Sequence, residues 1–172
     1  MKKTLLIFFL ILFYCDAEAQ YEKGTFQVGI GGLPIIYPDD LAETGYSLRA
    51  NFGYFPIKKL AVGVIPFMGN VEDMKSIGVN IYLRYYITNK RFSLFAEAGT
   101  GFGNLQYEDS PSYNGTMYSF NIGPGVHYIF KNKLAIEFLL QYANLRNISY
   151  PEHTINGNTV IPTLGVQYFI FK

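Results

Sequence analysis

The strongest constraint on the fold is an alternation of apolar and polar residues with a period of two, which recurs along the chain after residue 20. In the clearest segment, 76–87, Ile77 and Ile81 share one face with other apolar residues, and Asn80 and Arg84 share the opposite face. A period of two is the signature of a β-strand with one apolar face. Because this part of the chain contains no run of about 18 apolar residues, the sequence predicts strands and no membrane-spanning helix there.

The same pattern predicts eight strands, most of them long enough to cross a bilayer when tilted. The predicted strands cover 25–33, 46–54, 60–68, 76–87, 92–104, 117–130, 134–145 and 159–171. Tight turns at 55–59, 88–91 and 131–133 alternate with longer loops at 34–45, 69–75, 105–116 and 146–158. This alternation is typical of an all-β, eight-stranded antiparallel up-and-down transmembrane β-barrel, with a short-turn rim at one end and a long-loop rim at the other.

Charge is distributed unequally between the two predicted rims. The short turns carry six basic residues and no acidic one, whereas the long loops carry eight acidic and two basic residues. The predicted strands contain only four charges, which are Arg49, Arg84, Glu97 and Glu137. A sheet face in contact with water would carry more than four charged residues. We therefore expect the polar face to line the lumen and the apolar face to contact lipid.

Composition and the aromatic residues agree with a membrane barrel. Charged residues make up 16% of the chain, against about 25% in a soluble domain. A formal net charge of +1 provides no basic field for nucleic acid, so we expect none as a partner. Two aromatic girdles are predicted on the apolar face. The short-turn girdle contains Tyr54, Tyr85, Phe92, Tyr128, Phe130 and Tyr168, and the long-loop girdle contains Tyr46, Phe102, Tyr118 and Tyr142.

Residues 1–19 have the features of a secretory signal peptide. Two lysines precede the apolar run 5–13, and Ala17 and Ala19 supply small residues just before Gln20. We therefore expect cleavage before Gln20, which leaves 20–172 as a single outer-membrane barrel domain. The alternative, an uncleaved membrane anchor, is disfavoured because the apolar run is about half the ~20 residues that a spanning helix needs.

The only cysteine, Cys15, lies inside this predicted signal peptide. A lipid-modified cysteine would follow small residues, whereas Phe13 and Tyr14 precede Cys15. Removal of the peptide leaves a mature chain with no thiol and therefore with no disulfide or thiolate metal site.

Six inward-facing residues form the predicted polar network of the lumen: Arg49, Tyr82, Arg84, Glu97, His127 and Glu137. Pairing across the 131–133 turn would place His127 beside Glu137. Pairing across the 88–91 turn would place Glu97 beside Tyr82 and diagonal to Arg84. Since buried charges require paired and hydrogen-bonded partners, we expect a structural network. The alternative interpretation is a path for protons or ions.

Catalytic chemistry is sparse in this sequence. With two histidines and no close cluster of acidic residues, we expect no metal site and no cofactor. The glycines within 99–103 lack the helix that a phosphate-binding loop requires. His127 is expected near the short-turn rim with no inward serine two residues further on, and His153 lies in a loop. Because no nucleophile and base can be paired, we expect no enzyme.

The last predicted strand carries a more specific motif. Thr163, Gly165, Tyr168 and Ile170 fit the polar-x-Gly-x-x-apolar-x-apolar signal that outer-membrane barrels present for assembly. With this motif and the strand–turn–strand segment 121–137, the mature chain resembles the small outer-membrane β-barrel family of Gram-negative bacteria. That family includes the OmpX/Ail-like proteins and the OmpA transmembrane domain. Many members end at the aromatic residue, whereas Lys172 follows Phe171 in this chain.

The resemblance implies an outer-membrane location and partners of three kinds: outer-membrane lipids, lipopolysaccharide and the barrel assembly machinery. We expect a monomeric, non-enzymatic membrane protein with a structural or surface-interaction role through its long loops, for an extracellular ligand that the sequence does not identify. A porin-like narrow pore for small solutes or ions is the alternative. A lipid A-modifying enzyme would need a Ser–His pair at the long-loop rim, which the sequence does not show.

Overall fold

The computed structural model is a closed barrel in which eight strands follow one another in chain order. The structure describes residues 21–36, 44–71, 74–88, 91–107, 114–130, 133–147 and 157–170. The strands are β1 (Phe26–Ile36), β2 (Thr44–Ile57), β3 (Leu60–Val71), β4 (Met74–Tyr86), β5 (Phe92–Tyr107), β6 (Gly115–Phe130), β7 (Leu134–Asn147) and β8 (Gly157–Ile170). Every pair of neighbours is antiparallel, and β1 pairs with β8 to close the ring. The predicted fold class is therefore confirmed.

The strands extend further than predicted at the long-loop rim. β5 continues to Tyr107, where it pairs with Met74 at the start of β4, and β6 begins at Gly115. Strand pairing continues beyond the apolar band because it satisfies the backbone polar groups whatever the side chains are. As a result, Lys75 and Arg146, which were predicted to lie in loops, lie on β4 and β7.

The first short turn is tighter than predicted. β2 continues to Ile57, so that only Lys58 and Lys59 form the turn. The register shifts between Tyr54 and Ile57, which indicates a β-bulge at the end of β2. Phe55, which was assigned to the turn, instead projects into the lumen and is fully buried.

Along the strand residues whose side chains are described, lumen-facing and outward-facing positions alternate, except at the register shift near the end of β2. On β4, Ile81 is 59% exposed while its neighbour Tyr82 is buried. The outward positions between the rims are mostly apolar. The predicted girdle residues Tyr85, at one end of β4, and Phe102, towards the other rim on β5, are both more than half exposed. The inward positions are filled by polar side chains at mid-height and by aromatic side chains near the short-turn rim. No helix among the described residues is long and apolar enough to cross a membrane.

The assignment of faces can be tested on two adjacent residues of β4. We expect Ile81→Arg to lower the free energy of unfolding by roughly 2–4 kcal/mol, because it places a charge against lipid near mid-bilayer. Asn80 lies in the lumen, where its Oδ1 accepts from Ser119 Oγ at 3.3 Å, and we expect Asn80→Ala to cost much less. Denaturant unfolding in lipid vesicles measures both. Equal losses would show that the two faces of β4 are wrongly assigned.

Candidate functional site in the lumen

The centre of the lumen is occupied by the guanidinium of Arg84, which is 0% exposed. Its Nη1 donates to Glu137 Oε2 at 2.5 Å, and its Nη2 donates to Glu137 Oε1 at 3.2 Å. Its Nε donates to Glu97 Oε2 at 2.7 Å. Paired N–H donors on one carboxylate form the strongest common type of ion-pair geometry. Because Arg84 is on β4 and Glu137 is on β7, this contact spans the lumen.

A second arginine spans the lumen from another direction. Arg49 on β2 donates from Nη1 to Gln141 Oε1 at 3.0 Å and lies 3.3 Å from Glu137 Oε1 through Nη2. The Nε2 atom of His127 lies 2.6 Å from Glu137 Oε2. Two arginines thus face two glutamates, so the charges balance. A buried set of charges is tolerated only when it is paired in this way.

Amide and hydroxyl groups extend the network around the lumen wall. Gln141 donates from Nε2 to Glu97 Oε1 at 3.0 Å and to Asn121 Oδ1 at 3.1 Å. On the opposite wall, the Tyr82 hydroxyl donates to Asn51 Oδ1 at 2.6 Å and accepts from Gln27 Nε2 at 3.2 Å. These bonds join side chains of β5, β6 and β7 on one wall and of β1, β2 and β4 on the other.

One predicted neighbour relation is wrong. Glu97 lies opposite Arg84, and Gly99 lies opposite Tyr82. The register between β4 and β5 therefore differs by two residues from the predicted register, in which residues 87 and 92 flank the turn. Thr88 explains the offset. Its hydroxyl donates to Phe92 O and accepts from Leu94 N at 3.1 Å. These two backbone groups of β5 therefore bond to a side chain and not to the backbone of β4.

A short-turn plug, made of the rings of Tyr21, Phe55, Tyr86 and Phe169, closes the lumen below the charged network. The Tyr21 ring stacks on Tyr86 at 3.8 Å between centroids and contacts Phe55 and Phe169 at 5.9 and 5.7 Å. Lys59 N donates to Tyr21 O at 2.8 Å, which ties the segment before β1 to the first short turn. Burial raises the pKa of the Tyr21 hydroxyl above its usual value, so the plug is uncharged.

Phe95 connects the plug to the charged network. The Arg84 guanidinium lies 4.3 Å from the centroid of the Phe95 ring, a cation–π contact. A Cβ atom on Gly125 would lie 2.1 Å from Phe95 Cζ. The absence of a side chain at Gly125 therefore allows the ring to reach the guanidinium.

Sequence reasoning missed Tyr21 and Ser93. Tyr21 precedes the first strand, so no periodicity marks it, and an aromatic residue just after the predicted cleavage site was the only signal. Ser93 lies opposite His127, which lies opposite Glu137, so a serine, a histidine and a carboxylate occupy adjacent strands. The position two residues beyond His127 is Ile129, as the sequence indicates, and finding the serine on the neighbouring strand required the register of β5 and β6.

The geometry around Ser93 is that of a buried structural group. Its Oγ donates to Thr88 O at 3.2 Å, while the imidazole of His127 contacts Glu137. All three side chains are 0% exposed, and Glu137 belongs to the charged network around Arg84. Among the described residues, no group of three or more His, Cys, Asp or Glu side chains is arranged to hold a metal ion.

The four residues of the predicted assembly motif divide between the two faces of β8. Thr163 and Gly165 face the lumen, and Tyr168 and Ile170 face outward. The final residues, Phe171 and Lys172, lie outside the described residues, as do the predicted signal peptide and residues 37–43, 72–73, 108–113 and 148–156 of the predicted long loops.

A closed eight-stranded barrel with an apolar outer face and a packed polar lumen is the architecture of a small outer-membrane barrel. The sequence matches the model of the outer membrane protein beta-barrel domain family over residues 5–168, and the chain belongs to that family. This membership places the protein in the outer membrane, as predicted. No curated protein matches the sequence.

Solved structures show the same fold at low sequence identity. The outer membrane protein OprG from Pseudomonas aeruginosa is 12% identical, with a TM-score of 0.57, and the match covers 91% of this chain and all of OprG. Neisserial surface protein A, NspA, is 17% identical with a TM-score of 0.57, and the match covers 84% of this chain and 95% of NspA.

The ion network can be tested by removing its central cation. We expect Arg84→Met to lower the free energy of unfolding by about 3–5 kcal/mol, because two buried carboxylates lose their main partner. Combining it with Glu97→Gln and Glu137→Gln should restore part of that loss, since the uncompensated charges disappear. Denaturant titration in the same detergent compares the variants. A triple variant no more stable than Arg84→Met would mean that charge pairing is not what Arg84 contributes.

Proposed function

We propose that this protein is a non-conducting, non-enzymatic barrel of the outer membrane with a structural or surface-interaction role, carried by its long loops. The observation that supports this most directly is the burial of Arg84 between Glu97 and Glu137 in mid-lumen. A side chain that spans the lumen and is inaccessible to water leaves no aqueous path beside it.

Two independent barriers lie along the lumen axis. The charged network fills the middle, and the short-turn plug fills the end near the short turns. An eight-stranded barrel is only wide enough for side chains to fill, so opening either barrier alone leaves the other in place. The porin-like alternative would require both to move. Ion pairs that exclude water resist such movement, because their attraction is stronger at low dielectric.

Conductance across a planar bilayer tests the closed lumen. We expect the wild-type protein to give no stable porin-like current. The Tyr21→Ala variant removes one ring of the short-turn plug but keeps the charged network, so we expect the lumen of this variant to remain closed to ions. The triple variant Tyr21→Ala, Tyr82→Ala and Arg84→Ala removes bulk from both barriers and should give small, unsteady currents. Large, steady, ion-selective steps from the wild type would overturn the proposal and favour the pore.

The proposed surface role follows from the charge of the loops. The sequence between the strands at the long-loop rim is acidic. Lys75 and Arg146, the two basic residues of the predicted long loops, lie on β4 and β7. A signal peptide would deliver the N-terminus to the periplasm, and an even number of strands would return the C-terminus there. The long loops would then face outside the cell, where a ligand would meet a negatively charged surface.

Proteolysis of intact cells tests this orientation. A glutamate-specific protease should cut after Glu108 or Glu152, whereas trypsin should not cut at Lys58 or Lys59 in the first short turn. Mass spectrometry of the fragments identifies the sites, and lysed cells provide the control in which both ends are accessible. Cleavage of intact cells at the two lysines alone would reverse the orientation.

The lack of enzymatic activity is part of the same proposal. Ser93, His127 and Glu137 are all fully buried inside the barrel, and Ser93 Oγ donates to the backbone carbonyl of Thr88. A lipid-modifying hydrolase would need its nucleophile accessible and within reach of a base. We further propose that the protein is a monomer and that β8 presents its motif to the barrel assembly machinery.

A further inference from the structure

The three short turns each place a basic residue in the same position, immediately before a strand. These residues are Lys59 before β3, Arg91 before β5 and Lys133 before β7. Each backbone carbonyl accepts, at 2.8 Å, the backbone N–H of a buried residue on the adjacent strand, and the three donors are Tyr86, Ile129 and Phe169. Residues directly opposite each other in a ladder share one face of the sheet. The three cations therefore continue the rows that face the lumen.

A fourth cation lies at the start of β1. Lys23 is exposed in a turn that closes from Thr25 N to Glu22 O at 3.2 Å. Gly24 N in the same turn donates to Phe55 O at 2.9 Å, which holds the turn against the short-turn plug. We call Lys23, Lys59, Arg91 and Lys133 the basic collar. Its members precede alternate strands, so the basic collar surrounds the closed end of the lumen.

The outer side of the barrel at the same level is aromatic. The residues that follow three of the collar positions, at 60, 92 and 134, lie opposite the predicted girdle residues Tyr85, Tyr128 and Tyr168. The lipid interface at this rim therefore meets tyrosine rings, as in other membrane barrels. The basic collar lies on the opposite, lumen side of the same strands, so it faces the aqueous compartment and not the surrounding headgroups.

The basic collar lacks anions of its own in the part of the chain that the structure describes. Glu22 is the one acidic residue described at this end, and it pairs with Lys58 at 2.6 Å. The Nε atom of Arg91 is shielded from water and has no hydrogen-bond partner. A buried N–H group without a partner costs free energy, and a carboxylate binds a guanidinium through two such groups at once. Arg91 is therefore arranged to accept a carboxylate from outside the chain.

We propose that the basic collar is a docking site for an acidic segment of a periplasmic polypeptide. Its members are two strands apart, which is roughly 10 Å at about 4.8 Å per strand. A small anion reaches one member, whereas an extended chain spans that gap in about three residues. Because the short-turn plug closes the lumen, the segment rests on the collar without passing through the barrel. The site is separate from the role proposed for the long loops, and only its compartment rests on the proposed orientation.

A defined acidic peptide tests the docking site directly. The folded protein is kept in a nonionic detergent, in which both ends are accessible, and its binding is followed by fluorescence anisotropy. The probe is a labelled peptide of four Glu-Gly repeats, and the matched peptide of four Gln-Gly repeats is the control. We expect the acidic peptide alone to bind, with an affinity that falls as salt is added, because salt screens exposed charges.

Variants at the two rims locate the binding. Arg91→Gln and Lys133→Gln should each weaken binding about threefold, the effect of one exposed ion pair, and together about tenfold. Arg146→Gln removes an equal charge at the long-loop rim and should leave binding unchanged. Arg91→Lys keeps the charge but loses the paired N–H donors, so it should still weaken binding. Electrophoresis with and without boiling checks that each variant is folded.

Several outcomes would overturn the docking site. An equal loss from Arg146→Gln would show general attraction to the protein's charge, and an unchanged affinity of the Arg91→Gln and Lys133→Gln variants would exclude the basic collar. Tighter binding of inorganic tripolyphosphate than of the acidic peptide would favour a phosphate site. Cosedimentation with isolated peptidoglycan, without binding of the peptide, would favour the cell wall as the partner. None of these outcomes depends on conductance or on which rim faces the cell exterior.

Discussion

The ion pair between Arg84 and Glu137 is the interaction on which the lumen depends. It joins β4 to β7 across the barrel, and the remaining polar side chains are arranged around its two charges. Glu97 completes the neutralisation of Arg84, and Arg49 and His127 contact the other carboxylate. Without this pairing, the interior of the barrel would hold charges that neither lipid nor water could stabilise.

The same pair links the fold to the proposed role. Because Arg84 and Glu137 join opposite walls of the barrel, their pairing opposes separation of β4 from β7. The short-turn end is closed by rings from four separate places in the chain. At the long-loop end, the sequence between the strands is acidic. The proposed surface role therefore belongs to the long-loop rim.

Much of the architecture could be predicted because period-two alternation reports both strands and faces. Ile81 and Asn80 illustrate this, since their opposite exposure follows from their positions on one strand. Details that depend on hydrogen bonds at strand ends could not be predicted. The Thr88 hydroxyl shifts the register that sets the partner of Glu97, and continued backbone pairing brings Lys75 onto a strand. Tyr21 belongs to no periodic segment, so its place in the plug required the three-dimensional structure.

The pairing between β1 and β8, which closes the barrel, is short. β1 and β8 pair only from Phe26–Gly32 to Leu164–Ile170, whereas most other neighbours pair over longer stretches. In the described residues, the long-loop ends of both strands pair on one side only. Strands separate first where the fewest backbone pairs hold them. We therefore expect β1 and β8 to be the neighbours that part first when the barrel unfolds. Plug contacts from Tyr21 to Phe169 fasten the opposite end of this pair of strands.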